Sequence, residues 1–233
     1  MRKSFIVIIF AGLFLSSITT SQASNAEILL GDYSKNSILY QSLQFDHSFP
    51  LLEQIIVLPR QFFDEQEAAA MISRINSLPY SLLEKINHQG INLKLFTGKL
   101  TDNPTARQYA GQVPRGYTSN VTWDDIPGMG GSKVVLVKIG ASEKGEGHGS
   151  VNLELHEMAH SIDRYVYDEI SGSKDFLRVW KKEHEQLFPG NSYFFYPEEY
   201  FAESFAMYYL NNGTKELLRK KAPETFDLIK QLH

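Results

Sequence analysis

His156 and His160 stand four residues apart, with Glu157 directly after the first. On a helix, residues i and i+4 lie one above the other, so both imidazoles can reach a single ion. Zinc suits two imidazoles plus a carboxylate, with a fourth position left to water. Glu157 falls one step further round the helix, beside that open position, where it can serve as a general base. Asp163, three residues past His160, is predicted to hold an imidazole from outside the ion's own ligands. A third ligand must come from elsewhere in the chain. Downstream, Glu199 and Glu203 are four apart, among the apolar Tyr200, Phe201 and Phe205. Two carboxylates on a half-buried face need something positive to neutralise them, and a zinc ion does so. One of the pair can ligate while the other bonds the far nitrogen of a ligand histidine. Two plainer readings compete: a surface helix with solvated histidines, and an ordinary solvated acidic stripe.

The elements that must position these residues follow from periodicity and punctuation. Val151–Tyr167 is predicted as the helix carrying the histidines, with Leu153, Leu155, Met158, Ala159 and Ile162 supplying its apolar packing. A helix from Ser173 or Lys174 to Leu187 follows, and Pro189-Gly190-Asn191 breaks it. Pro197 suits the first position of a helix reaching Leu210, and Lys215–Lys220 and Glu224–Gln231 complete the chain. The first half reads differently. Gln54–Leu58, Ile91–Leu95 and Lys133–Ile139 are predicted strands, Glu65–Ser77 is a helix capped by Asp64, and Tyr80–Ile86 is a second helix. Residues 97–132 are rich in Gly, Pro, Asn and Thr and read as loops, and residues 24–50 as a loosely attached segment. The class is α+β, with a mixed N-terminal lobe holding a small sheet and a helical C-terminal lobe.

Met1-Arg2-Lys3, the apolar run Phe5–Leu15 and Ser21-Gln22-Ala23 have the order of a secretory signal, expected to be cleaved after residue 23. The apolar run is short for a bilayer span. Export without any cysteine excludes a disulfide framework, a thiolate ligand and a thiol nucleophile. Without Arg2 and Lys3, the 23 basic residues fall to 21 against 27 acidic, a net of −6. An acidic chain with no basic block is a poor partner for nucleic acid. After signal cleavage no membrane partner is expected, and the chain is expected to act as a monomer. The domain carrying the chemistry is taken as 51–233.

Separate stretches of the chain then carry a resemblance. They are Thr97–Thr101, Pro114-Arg115-Gly116, Thr122–Gly131, Gly147-His148 with Asn152–His156, and Tyr196–Phe205. Together they make the chain resemble the secreted bacterial Pro-Pro endopeptidases, relatives of the catalytic domain of anthrax lethal factor. The resemblance implies a zincin-like cleft between the two lobes, one Zn2+ per chain, and a proline-rich protein or peptide substrate. It implies Glu199 as third ligand and Glu203 as its outer neighbour. It further implies a tyrosine that offers its hydroxyl to the developing oxyanion. Tyr193 fills that place if the Pro189–Asn191 loop shifts by one residue, and Tyr196 ranks second. Trp123 resembles a tryptophan that packs on proline rings, physically apt because both surfaces are flat and apolar. Gly130-Gly131-Ser132 leads into a strand edge that, in this family, pairs with an extended substrate. Glu198 matches a residue that pairs with a lysine, but Val121 stands where that lysine can occur, and Lys133 stands where a threonine occurs. His148, between Gly147 and Gly149, reads as structural. Two rivals remain: a toxin-like zinc endopeptidase without proline preference, and a secreted zinc-binding protein without catalysis.

Overall fold

The computed structural model describes residues 27–114 and 121–232. The expected signal, residues 1–23, and Arg115-Gly116 lie outside the described residues. Among the described residues, no helix is long and apolar enough to cross a membrane.

Five strands form one sheet: β1 (Glu27–Leu29), β2 (Ile56–Pro59), β3 (Asn92–Phe96), β4 (Gly128–Met129) and β5 (Val134–Lys138), ordered β1-β2-β3-β5-β4. The three central strands are parallel and both edges are antiparallel. Between β1 and β2 lie α1 (Ile38–Ser42) and α2 (Phe49–Ile55), and α3 (Glu65–Asn76) and α4 (Tyr80–His88) connect the parallel strands β2 and β3. Alternation along the strands separates two hydrophobic bodies. Leu93, Leu95, Val135 and Val137 face the main core, whereas Phe96 and Leu136 face a smaller one made with Leu100, Ala106 and Ile126.

The second half is helical, as the sequence predicts: α5 (Leu153–Tyr165), α6 (Lys174–Leu187), α7 (Pro197–Leu210), α8 (Asn212–Lys221) and α9 (Pro223–Lys230). Its caps are legible. Asn152 accepts from Leu155 N at 3.0 Å and Ser173 from Phe176 N at 3.2 Å, while Pro197 opens α7. Buried Glu183 on α6 caps α9 from outside, taking the amides of Glu224 and Thr225 at 3.0 and 2.9 Å. The α5 helix enters the core with a charge on board. Fully buried Glu154 is met by Arg74 of α3 at 2.8 Å, which neutralises it and ties the histidine helix to the first lobe.

Three expectations need correction. Residues 27–50 are not loosely attached: β1 pairs with β2, and Leu30, Leu39, Tyr40 and Phe49 enter the main core. Their apolar residues follow no regular period in sequence but converge on the same core. The strand expected from Gln54 starts at Ile56, because Gln54 and Ile55 belong to α2, which buries Phe49, Leu52 and Ile55 at helical spacing. Finally, the strand after Gly130-Gly131-Ser132 is not an edge. β5 is covered by β4, with Gly128 opposite Val137 and Met129 opposite Leu136, so the open edge belongs to β4.

Candidate active site

Packing of α5 against α7 brings the predicted chemistry together. His156 Nε2 and His160 Nε2 are 3.2 Å apart, and Glu199 Oε2 lies 3.3 Å from each. For a tetrahedral ion held at about 2.0–2.1 Å, neighbouring ligand atoms sit about 3.3 Å apart. The three atoms thus outline one face of such a tetrahedron. Among the described residues, these three side chains are the group that could hold a metal, which leaves the fourth corner facing the cleft.

Hydrogen bonding sets the tautomer. Glu203 Oε2 is 3.0 Å from His156 Nδ1, and its Oε1 accepts the Val151 amide at 2.8 Å. A carboxylate can only accept, so Nδ1 carries the proton and Nε2 turns a lone pair towards Glu199. Glu199 Oε2 is buried without a hydrogen bond. The trio therefore asks for a cation. If that cation is only a proton, the His156 imidazolium holds it tightly. Burial pushes the imidazolium down, but the facing carboxylates of Glu199 and Glu203 outweigh burial and raise its pKa to about 10. Glu199 is the counterpart: burial would raise it, yet the two imidazoles hold it well below the usual carboxylate range.

Glu157 borders the same opening. Burial pushes its carboxyl up, opposed by both histidines and by a hydrogen bond from the Gly130 amide. Two glycines make this closeness possible. A Cβ on Gly128 would stand 2.8 Å from Glu157 Cγ, and one on Gly130 would stand 2.1 Å from the Glu157 carbonyl oxygen. Sequence reasoning missed what fastens this strap to α5. Ser161, fully buried, accepts the Gly131 amide at 3.1 Å and donates to the Ser132 carbonyl at 2.7 Å, while Arg164 donates to the Gly131 carbonyl at 3.2 Å. The available signal was a polar residue, next to His160, on a buried face of the helix.

These groups open into a cleft of about 960 Å³ between the glycine strap and the α5–α7 pair. Trp123, Gly130, Gly131, Tyr193 and Glu198 line it, with Pro114, Ile126 and Met129 adding apolar wall. Tyr196 is not in the lining. The turn carrying Tyr193 is anchored by Asn191 Oδ1, which accepts Tyr193 N at 3.1 Å, and by Trp180 Nε1, which donates to Phe194 O at 3.0 Å. Ser132 turns away, bonding the backbone of Val134. Asp163 departs from its expected role. Its two oxygens take the Ser171 amide at 2.9 Å and hydroxyl at 2.7 Å, because the turn after α5 folds Ser171 over it. His148 joins Ala141 O at 2.8 Å and Ser150 Oγ at 2.9 Å and is pushed down by burial. It props the cleft wall as a neutral ring.

The family described as anthrax toxin lethal factor, N- and C-terminal domain, matches residues 43–232. A Pro-Pro endopeptidase of Clostridioides difficile is 43% identical over 182 residues, 78% of this chain and 82% of that protein. The chain belongs to the Pro-Pro endopeptidase family. A second such endopeptidase, from Paenibacillus alvei, is 39% identical over 184 residues, 78% of this chain and 84% of the relative. The solved structure of the P. alvei Pro-Pro endopeptidase superposes with a TM-score of 0.75, covering 78% of this chain and 100% of that one.

Proposed function

We propose that this chain is a secreted zinc endopeptidase that hydrolyses the bond between two prolines in extended linkers of surface proteins. The observation that carries the reading is the triangle of His156, His160 and Glu199, with 3.2 and 3.3 Å sides and a buried, unsatisfied oxygen. The family membership and the signal-like segment Met1–Ala23 support substrate class and export respectively. Bound at this trio, zinc supplies Lewis-acid polarisation and a water whose pKa is lowered towards about 7. Structural zinc sites are usually closed by four protein ligands, so a three-residue trio facing a cleft favours catalysis.

The chain's own groups do the rest. Glu157, held by the Gly130 amide beside the open corner, takes the proton of the attacking water and carries it to the leaving nitrogen. When that nitrogen belongs to proline, the bond is a tertiary amide with no N–H of its own. Tyr193, in the cleft lining, offers its hydroxyl to the oxyanion. Selection of proline then falls to shape and stacking, with Trp123 presenting an indole to a pyrrolidine ring. Pro-Pro segments favour the extended polyproline conformation, so little ordering entropy is lost on binding. Paired peptides with Pro-Pro and Ala-Ala at the scissile position test this. Preference for Pro-Pro, abolished by a chelator and restored by zinc, is expected, and equal cleavage of both would overturn the proline assignment.

A further inference from the structure

Trp123 does not stand alone at the cleft. The ring of Tyr109 lies 5.3 Å from the indole, centroid to centroid, tilted by 34°. Trp123 is in the cleft lining and Tyr109 is not, so the phenol braces the indole from outside the lining. Both rings pack against the smaller core of Phe96, Leu100, Ala106, Ile126 and Leu136. The backbone beneath is bolted down. Trp123 N donates to Gln112 O at 2.8 Å, and Asp124 takes the Thr101 hydroxyl at 2.5 Å and the Gly111 amide at 3.3 Å. Asp125 closes the same turn by accepting both the amide and the hydroxyl of Thr122 at 3.0 Å. With the main chain fixed, the remaining freedom of Trp123 is rotation about its side-chain bonds. Rotation of the indole into the space that the Tyr109 ring fills is the motion that Tyr109 blocks.

We infer that Tyr109 is the positioning residue of the proline platform, holding the Trp123 indole face presented to the cleft. This rests on the reading of Trp123 as the surface that meets the substrate's prolines. Tyr109 is not itself a lining residue and meets the lining through Trp123, so its loss acts on substrate binding and leaves the proton-transfer groups in place. An offset aromatic pair contributes enough that losing it is expected to raise KM for a Pro-Pro peptide about three- to tenfold.

The test uses the full mature chain with Tyr109→Ala, Tyr109→Leu and Tyr109→Phe. Tyr109→Leu keeps bulk behind the indole without a ring, so the question stays answerable if Tyr109→Ala folds poorly. The expected result is a raised KM with kcat within about twofold for Tyr109→Leu, unchanged zinc content, and recovery in Tyr109→Phe, since the ring and not the hydroxyl does the backing. In a Trp180→Phe background, which leaves Trp123 as the sole tryptophan, acrylamide quenching of fluorescence excited selectively at tryptophan should rise on Tyr109→Leu and fall back with Tyr109→Phe. Unchanged KM and unchanged quenching in Tyr109→Leu would overturn the inference, as would loss of zinc or of kcat with KM unaltered. If the wild type cleaved Pro-Pro and Ala-Ala peptides alike, the proposed specificity would fail while quenching still decided the role of Tyr109.

Discussion

Replacing Gly130 with alanine asks the strap for space it does not have. The new Cβ would stand 2.1 Å from the Glu157 carbonyl oxygen, where ordinary contact begins near 3.4 Å, a deficit of about 1.3 Å. The obstacle is helix backbone, which cannot rotate aside, so the strap must lift from α5. Lifting it removes the Gly130 amide from the Glu157 carboxylate and pulls against the Ser161 and Arg164 bonds to the next two residues. Overpacking of this kind destabilises by about 1–3 kcal/mol. A displacement near 1 Å in a reacting constellation lowers the rate on the order of 100-fold. Gly131→Ala is the matched control. Its φ is +75° and its Cβ would meet nothing nearer than His160 Cβ at 3.9 Å, so it carries backbone strain of about 1–2 kcal/mol without a collision. Steady-state kinetics, zinc content and urea unfolding on both variants separate the two effects. Gly130→Ala should lose about two orders in kcat/KM with zinc retained, and Gly131→Ala should lose mainly stability. Activity of Gly130→Ala within threefold of wild type would refute the close-approach reasoning.

Other expectations are simpler. Glu157→Ala should keep zinc and lose about three or more orders in turnover, because the base goes while the ligands remain; an active variant would exclude the assignment. Glu203→Ala removes the acceptor on His156 Nδ1 and should weaken zinc affinity about 10- to 100-fold in a chelator competition, so unchanged affinity would count against the outer hydrogen bond. Arg74→Ala leaves Glu154, whose side chain is 0% exposed, without its cation. It should destabilise by about 3–5 kcal/mol in urea unfolding, and a loss under 1 kcal/mol would mean the pair is dispensable.

How much of this was legible depends on whether the information is local. The helices α5, α6 and α7 were readable because Asn152, Ser173 and Pro197 punctuate them and their apolar residues recur at helical spacing. His156, His160 and Glu199 converge as the motif and resemblance implied. β4 was invisible, since Gly128-Met129 has too little length for any alternation, and it is a strand only because β5 accepts it. β1 likewise exists through pairing with residues about thirty positions away. Asp163 was misassigned for a related reason. Helical spacing gives the face on which a side chain lies but not what folds over it. The chain after α5 passes through Asp168 and Glu169, both with positive φ, and so delivers Ser171 to that carboxylate. Ser161 was overlooked because its partners are backbone atoms, which leave no mark in a pattern of side-chain types.

The two hydrophobic bodies divide labour in a way that matters for anyone wishing to redirect such an enzyme. The ligand helices rest in the main core, whereas Trp123 rests on the smaller one, across β3 and β5. Combinatorial libraries confined to residues 97–112 and 121–126 would reshape the smaller body, while the scaffold beneath His156, His160 and Glu199 keeps its packing. Selections for altered peptide preference would then sample many recognition surfaces over one inherited catalyst, with fewer clones lost to misfolding than a search spread across the chain.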